Sequence, residues 1–193
     1  MNICIYGASS TLIDSSFIEK TEELASLLAK EGHSLVFGCG ANGLMGAAAR
    51  SFSSQGAEII GVVPKFFNVD GILFDKCTRV IRTETMNERK SIMEALADAF
   101  IITPGGVGTY EELFEALTLK QLSRHDKAII IYNINGYYDT FLKLLDECVE
   151  KKFMNELTLR LIDVETTAEG VLNALKTYKP FTFELSDVKP VTK

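Results

Sequence analysis

Histidine is scarce, the cysteines are scattered, and no stretch of the chain is long and apolar enough to cross a bilayer. The two histidines, His33 and His125, lie far in sequence from Cys4, Cys39, Cys77 and Cys148, and no two cysteines share a C-x-x-C spacing. That spacing argues against a zinc site and leaves the cysteines as small core residues. Lys and Arg number 20 against 26 Asp and Glu, a formal net charge of -6. Non-specific binding of DNA or RNA needs a broad basic face, so a nucleic acid polymer is not the expected partner. A small anionic ligand needs only local donors and stays open. Met1 leads straight into an apolar strand with no basic leader, and the expectation is a cytoplasmic protein.

Of the 193 residues, 47% are hydrophobic, enough to bury a sizeable core. Short apolar runs alternate with helix-like segments along the whole chain. The runs "NICIYG", "SLVFG", "EIIGVVP", "TRVIRT", "FIITPGG" and "KAIIIYN" read as strands, with a short one near Ile162. Between them lie "GLMGAAARSFSSQG", "MNERKSIMEALADA", "YEELFEALTLKQLS", "YYDTFLKLLDECVEKKF" and residues 168–178, read as helices. A first helix carries Phe17, Thr21, Leu24, Leu27 and Leu28 at helical spacing and ends at Gly32. The alternation predicts an α/β fold: a Rossmann-like, doubly wound, mainly parallel sheet of about seven strands with helices on both faces. Residues 1–178 are expected to form one nucleotide-binding domain and residues 179–193 an extended tail.

Ligands of such a sheet bind beyond the carboxyl ends of its strands. Glycine concentrates there: Gly7; Gly38 and Gly40; Gly105, Gly106 and Gly108. In "FIITPGGVGTYEEL", Pro104 ends the strand, and Gly105, Gly106 and Gly108 are expected to permit positive φ and close approach of a ligand. Thr109 is expected to cap the next helix and leave a run of N–H groups facing outward, which suits phosphate. The same residues could instead make a tight strand-to-helix turn that holds nothing. No G-K-[ST] follows, and the first strand–helix turn reads "GASST" rather than G-x-G-x-x-G. A nucleoside monophosphate or a sugar phosphate therefore fits better than a triphosphate or a dinucleotide.

Glu111 and Glu112 are placed by this reading in the helix's first turn. Complementing the helix dipole would account for one exposed glutamate, at about 0.3–1 kcal/mol. Two beside a phosphate is harder, because repulsion at close range is on the order of several kcal/mol at an effective dielectric of about 20. Offsetting cations are available in "MNERKSIM": Arg89 can grip phosphate or a purine edge bidentately, and Lys90 is a mobile point charge. The plainer reading of an R-K pair is a solvated helix face.

"MNERK" followed by "PGGVGTYEE" resembles the paired M-x-x-R-K and P-G-G-x-G-T-x-x-E signatures of the LONELY GUY (LOG) family of cytokinin riboside 5′-monophosphate phosphoribohydrolases, some of which carry a lysine decarboxylase label. The similarity runs from "CIYGASS" through "GLMG", "IIGVVP" and "LKQLSRHDKAIIIYNINGYYD" to "KKFM". The resemblance implies hydrolysis of the N-glycosidic bond of AMP or N6-modified AMP, giving free base and ribose 5-phosphate, in a dimer or larger homo-oligomer. It makes Arg89 and Glu112 catalytic. Gly105, Gly106, Gly108 and Thr109 would hold phosphate, and Glu111 would contact the ribose. Lys90, Thr118, Met86 and Ser9 complete the substrate-binding set, with no metal and no cofactor. Departures are "GASS" where members often read C-G-S-S, Cys39 inside "GCGANGLMG" where G-G-G is usual, and Asp70 where the loop after V-I-P often has a glutamate.

In the mechanism these assignments suggest, a carboxylate stabilises the cationic sugar and orients water, while an arginine hydrogen-bonds the departing purine. The alternative is a non-catalytic nucleotide or molybdenum-cofactor carrier on the same fold, which would not need Arg89 together with the Glu111–Glu112 pair. A decarboxylase would need pyridoxal phosphate, and no lysine has a sequence context for it. His125 reads as a helix end, and Tyr137 and Tyr138 as packing or interface residues. Apolar surface on the helices at 86–97 and 110–122 exceeds what one sheet face needs, which suggests a dimer seam.

Overall fold

The computed structural model describes residues 1–67 and 71–181. Its strands are β1 (Asn2–Tyr6), β2 (Ser34–Phe37), β3 (Ile59–Pro64), β4 (Arg79–Thr83), β5 (Ala99–Ile102), β6 (Ala128–Tyr132) and β7 (Asp163–Glu165). Its helices are α1 (Ser15–Lys30), α2 (Gly43–Ser54), α3 (Met86–Leu96), α4 (Val107–Gln121), α5 (Asp139–Glu150) and α6 (Ala168–Thr177). Two 3₁₀ segments, Ile134–Gly136 and Glu156–Leu161, join the later elements.

The strands form one sheet in the order β4-β3-β2-β1-β5-β6-β7, and every pairing is parallel. Side chains alternate between the two faces of a strand, which forces helices onto both. Ile3 and Ile5 pack in the core layer shared with Leu24, Leu28, Phe52 and Val171 of α1, α2 and α6. Cys4 and Tyr6 pack in the opposite layer, with Met93, Leu113 and Phe141 of α3, α4 and α5. The central strands are buried except for Asn2 and Ser34, which open β1 and β2 half-buried, whereas edge strands β4 and β7 carry Arg79, Arg82, Asp163 and Glu165, charges that discourage pairing with another sheet.

The first four strands run outward from β1 in one direction, and β5 returns to its other side. The order therefore reverses between β1 and β5, where Tyr6 pairs with Ile102 at the carboxyl edge. A crevice opens at such a reversal. The chain leaving β5 is the glycine loop, so the sheet topology itself carries "PGGVG" to the binding edge. Gly32 ends α1 as expected, in the left-handed region at φ 78°. The expected tail at 179–193 lies mostly outside the described residues, as does Asp70.

Candidate functional site

Two neighbouring residues of α3 meet two neighbouring residues of α4. Thr85 caps α3, its Oγ1 accepting from the Glu88 amide at 3.1 Å, so the helix starts just beyond the carboxyl end of β4. Arg89 then closes its first turn and Lys90 opens its second, and both are buried. Arg89 donates through Nε to the Val62 carbonyl at 3.2 Å and through Nη1 to Glu112 Oε1 at 3.1 Å. A Cβ at Gly38 would stand 2.0 Å from Arg89 Nη2, so the glycine that follows β2 is what opens the arginine's seat. Lys90 ion-pairs with Glu111 and, at 2.7 Å, with Glu115. The pair is therefore not a solvated face.

The electrostatics differ between the two pairs. Burial pulls the Lys90 ammonium down, but its hydrogen bonds to Glu111 and Glu115 outweigh that and hold it above its ordinary value. The Glu112 side chain is only 11% exposed. Burial pushes its carboxyl up to about 7, because the opposing attraction of Arg89 recovers only part of the desolvation cost. A carboxylate poised near neutrality beside a cleft is suited to general-base work or to stabilising a nearby cation.

The glycine loop corrects three expectations. Helix α4 begins at Val107, with Gly106 as its N-cap. Thr109 is thus inside the first turn and caps nothing; it is buried against Gly105. Glu111 and Glu112 consequently lie in the second turn, not the first. At 1.5 Å per residue, Glu112 sits about 8 Å along the axis from Val107. That separation removes the conflict between carboxylate and phosphate, since an anion on the helix tip is more than a full turn away. Nor do Gly105, Gly106 and Gly108 adopt positive φ; none is among the residues that do. Gly105 is needed for space, because a Cβ there would meet Thr109 Oγ1 at 2.1 Å. Gly106 and Gly108 face open space, and Gly106 provides no side-chain cap for the first amides. A melting comparison separates these roles: Gly105→Ala is expected to lower Tm by about 2–4 °C or more, the effect of 1 kcal/mol in a domain of this size, with Gly106→Ala close to wild type. Equal melting of the two would refute the steric reading.

Tyr137 and Tyr138 turn out to buttress the loop rather than merely fill space. The Tyr137 hydroxyl donates to the Gly105 carbonyl at 2.7 Å and the Tyr138 hydroxyl to the Thr103 carbonyl at 2.8 Å. From the other side, the Ala8 amide donates to the Pro104 carbonyl at 2.9 Å. These bonds fix the loop backbone from both sides. An N-G-Y-Y turn carries no sign of this in sequence, because the contact is made across 32 to 35 residues. Glu115, second partner of Lys90, was likewise not singled out, though its i+4 spacing from Glu111 places both on one face.

A cavity of about 190 Å³ opens beside Arg89. Ser9 and Met86 line it, together with Met45, Phe67 and Ile72. Its wall is largely apolar, with the guanidinium as its charged element, a combination suited to a heteroaromatic base. Thr118 is not brought to this cavity: it is exposed on α4, about 9 Å along the axis beyond Glu112. Among the described residues, no group of three or more His, Cys, Asp or Glu side chains could hold a metal ion, and no helix is long and apolar enough to cross a membrane.

Comparison with known proteins gives a consistent pattern. Residues 45–175 match the family model described as "Possible lysine decarboxylase". The Arabidopsis thaliana protein named cytokinin riboside 5′-monophosphate phosphoribohydrolase LOG2 is 34% identical over 178 residues, covering 92% of this chain and 84% of the relative. The enzyme of that name designated LOG in Oryza sativa subsp. japonica is 36% identical, covering 92% and 74%. Among solved structures, the molybdenum cofactor binding protein from Rippkaea orientalis superposes with a TM-score of 0.70 at 20% identity, covering 91% of this chain and 95% of that one, a likeness of fold alone. The matched span and the identity and length of the alignments lead to one assignment: the chain belongs to the "Possible lysine decarboxylase" family, in the LOG group of phosphoribohydrolase-like proteins.

Proposed function

We propose that this protein hydrolyses the N-glycosidic bond of purine nucleoside 5′-monophosphates, AMP or N6-modified AMP, to free base and ribose 5-phosphate. The observation that carries the reading is the 3.1 Å contact between Arg89 and a buried Glu112, held beside the cavity and more than one helical turn behind an uncapped helix tip. The phosphate sits on the amides at Val107 and Gly108, and the base enters the cavity near Met86 and Arg89. The ribose spans the distance between, which brings the anomeric carbon toward Glu112. As the base departs, positive charge develops on the sugar ring. The Glu112 carboxylate stabilises that charge and takes a proton from the attacking water. Arg89 hydrogen-bonds the purine and makes it a better leaving group. The phosphate contacts orient the ribose by binding energy remote from the bond that breaks.

Incubation of the purified protein with AMP and with adenosine tests this. Adenine release from AMP is expected, with kcat/KM for adenosine lower by at least about 10³-fold, or about 4 kcal/mol of lost anchoring. Comparable rates on both would remove the phosphate anchor, and no base release from any purine monophosphate would remove the hydrolase reading. Gly106→Ala, which projects a methyl toward the phosphate position, is expected to raise KM for AMP by about tenfold, or about 1.4 kcal/mol.

A decarboxylase reading finds no support in the site. Lys90 is held charged by two carboxylates, the opposite of the neutral amine a Schiff base requires. The fold shared with molybdenum cofactor carriers gives no reason for Arg89 and Glu112 to be paired. We also place the protein in the cytoplasm and assign it a homodimer. Supporting the dimer, Phe114, Tyr137 and Leu144 are exposed side by side along a groove between α4 and α5. A purely monomeric sedimentation profile at micromolar concentration would withdraw the dimer.

A further inference from the structure

Cys39 stands in the chain leaving β2, and Cys77 in the connection between β3 and β4, and their sulfurs are 3.8 Å apart. Three features mark this as more than two thiols packed by chance. Cys39 holds φ 65°, in the left-handed region where glycine is the usual occupant, so a side chain is kept there against a backbone preference. Gly61 makes the room: a Cβ on it would stand 2.6 Å from Cys39 Sγ and 3.0 Å from Cys77 Sγ, although the residue lies in the middle of a buried strand where glycine costs stability. Both thiols also point at one acceptor, the Phe74 carbonyl, at 4.0 and 3.5 Å.

The pair lies directly behind the cavity wall. Gly38 and Gly40 flank Cys39, and both line the cavity. The Cys77 connection is laid against this segment by backbone hydrogen bonds from Phe74 to the Cys39 carbonyl at 2.9 Å and from Ala41 to the Ile72 carbonyl at 2.8 Å. Gly38 has no slack, since the Arg89 guanidinium fills the space where its side chain would be. Any displacement of residues 38–40 is therefore passed to Arg89.

We propose that Cys39 and Cys77 form a reversible disulfide that switches off nucleotide binding at the Arg89 cavity. Bond formation shortens the sulfur separation from 3.8 Å to about 2.05 Å, draws the two connections together and shifts Gly38 against Arg89. The oxidant is a small-molecule disulfide. The hydrogen bond to Cys39 and burial hold the Cys77 thiol above its ordinary value, so the attack comes from a minor thiolate fraction: the partly exposed Cys77 loses its proton and attacks the oxidant, releasing one thiolate and leaving a mixed disulfide. Cys39, deprotonated, then attacks the Cys77 sulfur and displaces the second thiolate. The two protein protons end on the two released thiols, so one disulfide is reduced as one is formed. In the reduced pair the hydrogen bond from Cys77 lowers the Cys39 thiol below its ordinary value; once Cys77 is in the mixed disulfide that bond is gone, and the closing attack rests on the 3.8 Å approach of the two sulfurs.

The effect on the cavity rests on the nucleotide reading above, and the test separates the two. The full chain is treated with glutathione disulfide, its remaining thiols are alkylated, and the intact mass and a digest are read. The expected result is a monomeric chain with two fewer alkylated cysteines, a 39–77 linked peptide, and reversal by dithiothreitol. AMP affinity by titration calorimetry, and adenine release, are expected to fall at least tenfold in the oxidised form and to recover on reduction. Cys77→Ser, with Cys77→Ala as a second variant, is expected to bind AMP like the reduced wild type and to ignore the oxidant. Four alkylatable thiols after treatment, or a 39–77 bond with unchanged AMP affinity, would overturn the switch. Absence of adenine release in both states, with AMP binding that weakens on oxidation and recovers on reduction, would overturn the hydrolase reading and support the switch. Absence of AMP binding in both states would overturn both.

Discussion

Glu112→Gln is expected to abolish most base release, by about 10²–10⁴-fold in kcat, while making the protein more stable at pH 8. The two effects share one cause. The Glu112 carboxyl is pushed from 4.5 up to about 7 by burial, incompletely offset by Arg89. Above pH 7 the folded and unfolded states are both ionised, and the native state bears the full cost, about 3 kcal/mol from the size of the rise. Below pH 7 the folded protein takes up a proton that the unfolded chain does not bind until about 4.5. The Glu112 contribution to stability therefore falls as pH rises through 4.5 to 7. The neutral amide has no such dependence. Urea unfolding of both proteins should show the variant ahead at pH 8 by up to about 3 kcal/mol, with the difference vanishing near pH 4.5. The wild-type kcat/KM profile should rise with pH through about 7 as the carboxylate forms. A variant that is less stable at pH 8, or that keeps near-normal turnover, would remove Glu112 from this role.

Arg89→Met should destabilise the protein by about 3–5 kcal/mol at pH 8, because it leaves a buried carboxylate without its cation. The same change in the Glu112→Gln background should cost only about 1 kcal/mol, the loss of the hydrogen bond to the Val62 carbonyl. The difference is the coupling between the two side chains, and a double-mutant cycle measures it directly. The single-variant penalty should also shrink at pH 6, where Glu112 escapes its isolation by taking up a proton. Additive costs in the cycle would mean that the 3.1 Å contact contributes nothing beyond packing. Arg89→Lys should not rescue activity, since a single ammonium cannot serve the Val62 carbonyl, Glu112 and a purine edge in the planar geometry of the guanidinium.

The pattern of apolar runs and helical repeats was sufficient for the parallel α/β sheet, and glycine spacing for its functional edge. Strands β1, β3, β5 and β6 are apolar because both of their faces are covered, so their runs are unbroken and easily read. Local sequence misplaced the start of α4. Thr109 is a good capping residue by type, but Gly106 already takes the cap position because the β5–α4 loop is tied back by Tyr137, Tyr138 and Ala8. The reason glycine is required at 105 is also nonlocal in kind: it is the space occupied by Thr109, and not a dihedral angle. Adjacent Arg–Lys and Glu–Glu pairs could have been solvated faces of separate helices. Only the tertiary structure brings α3 and α4 together as matched ion pairs, with Arg89 and Lys90 buried, Glu112 nearly so and Glu111 half exposed.

By itself, the sequence determined which elements form, on which edge the glycines gather, and, through the two paired motifs, the family. These follow from side-chain periodicity and short-range backbone preference, which are properties of neighbouring residues. Tertiary structure alone decided that Glu112 sits more than a turn behind the helix tip, that Arg89 occupies the space Gly38 leaves vacant, and that Cys39 and Cys77 meet over Gly61. Charge compensation, desolvation and sulfur proximity depend on distances across the sheet edge, and no residue's neighbours in sequence fix those.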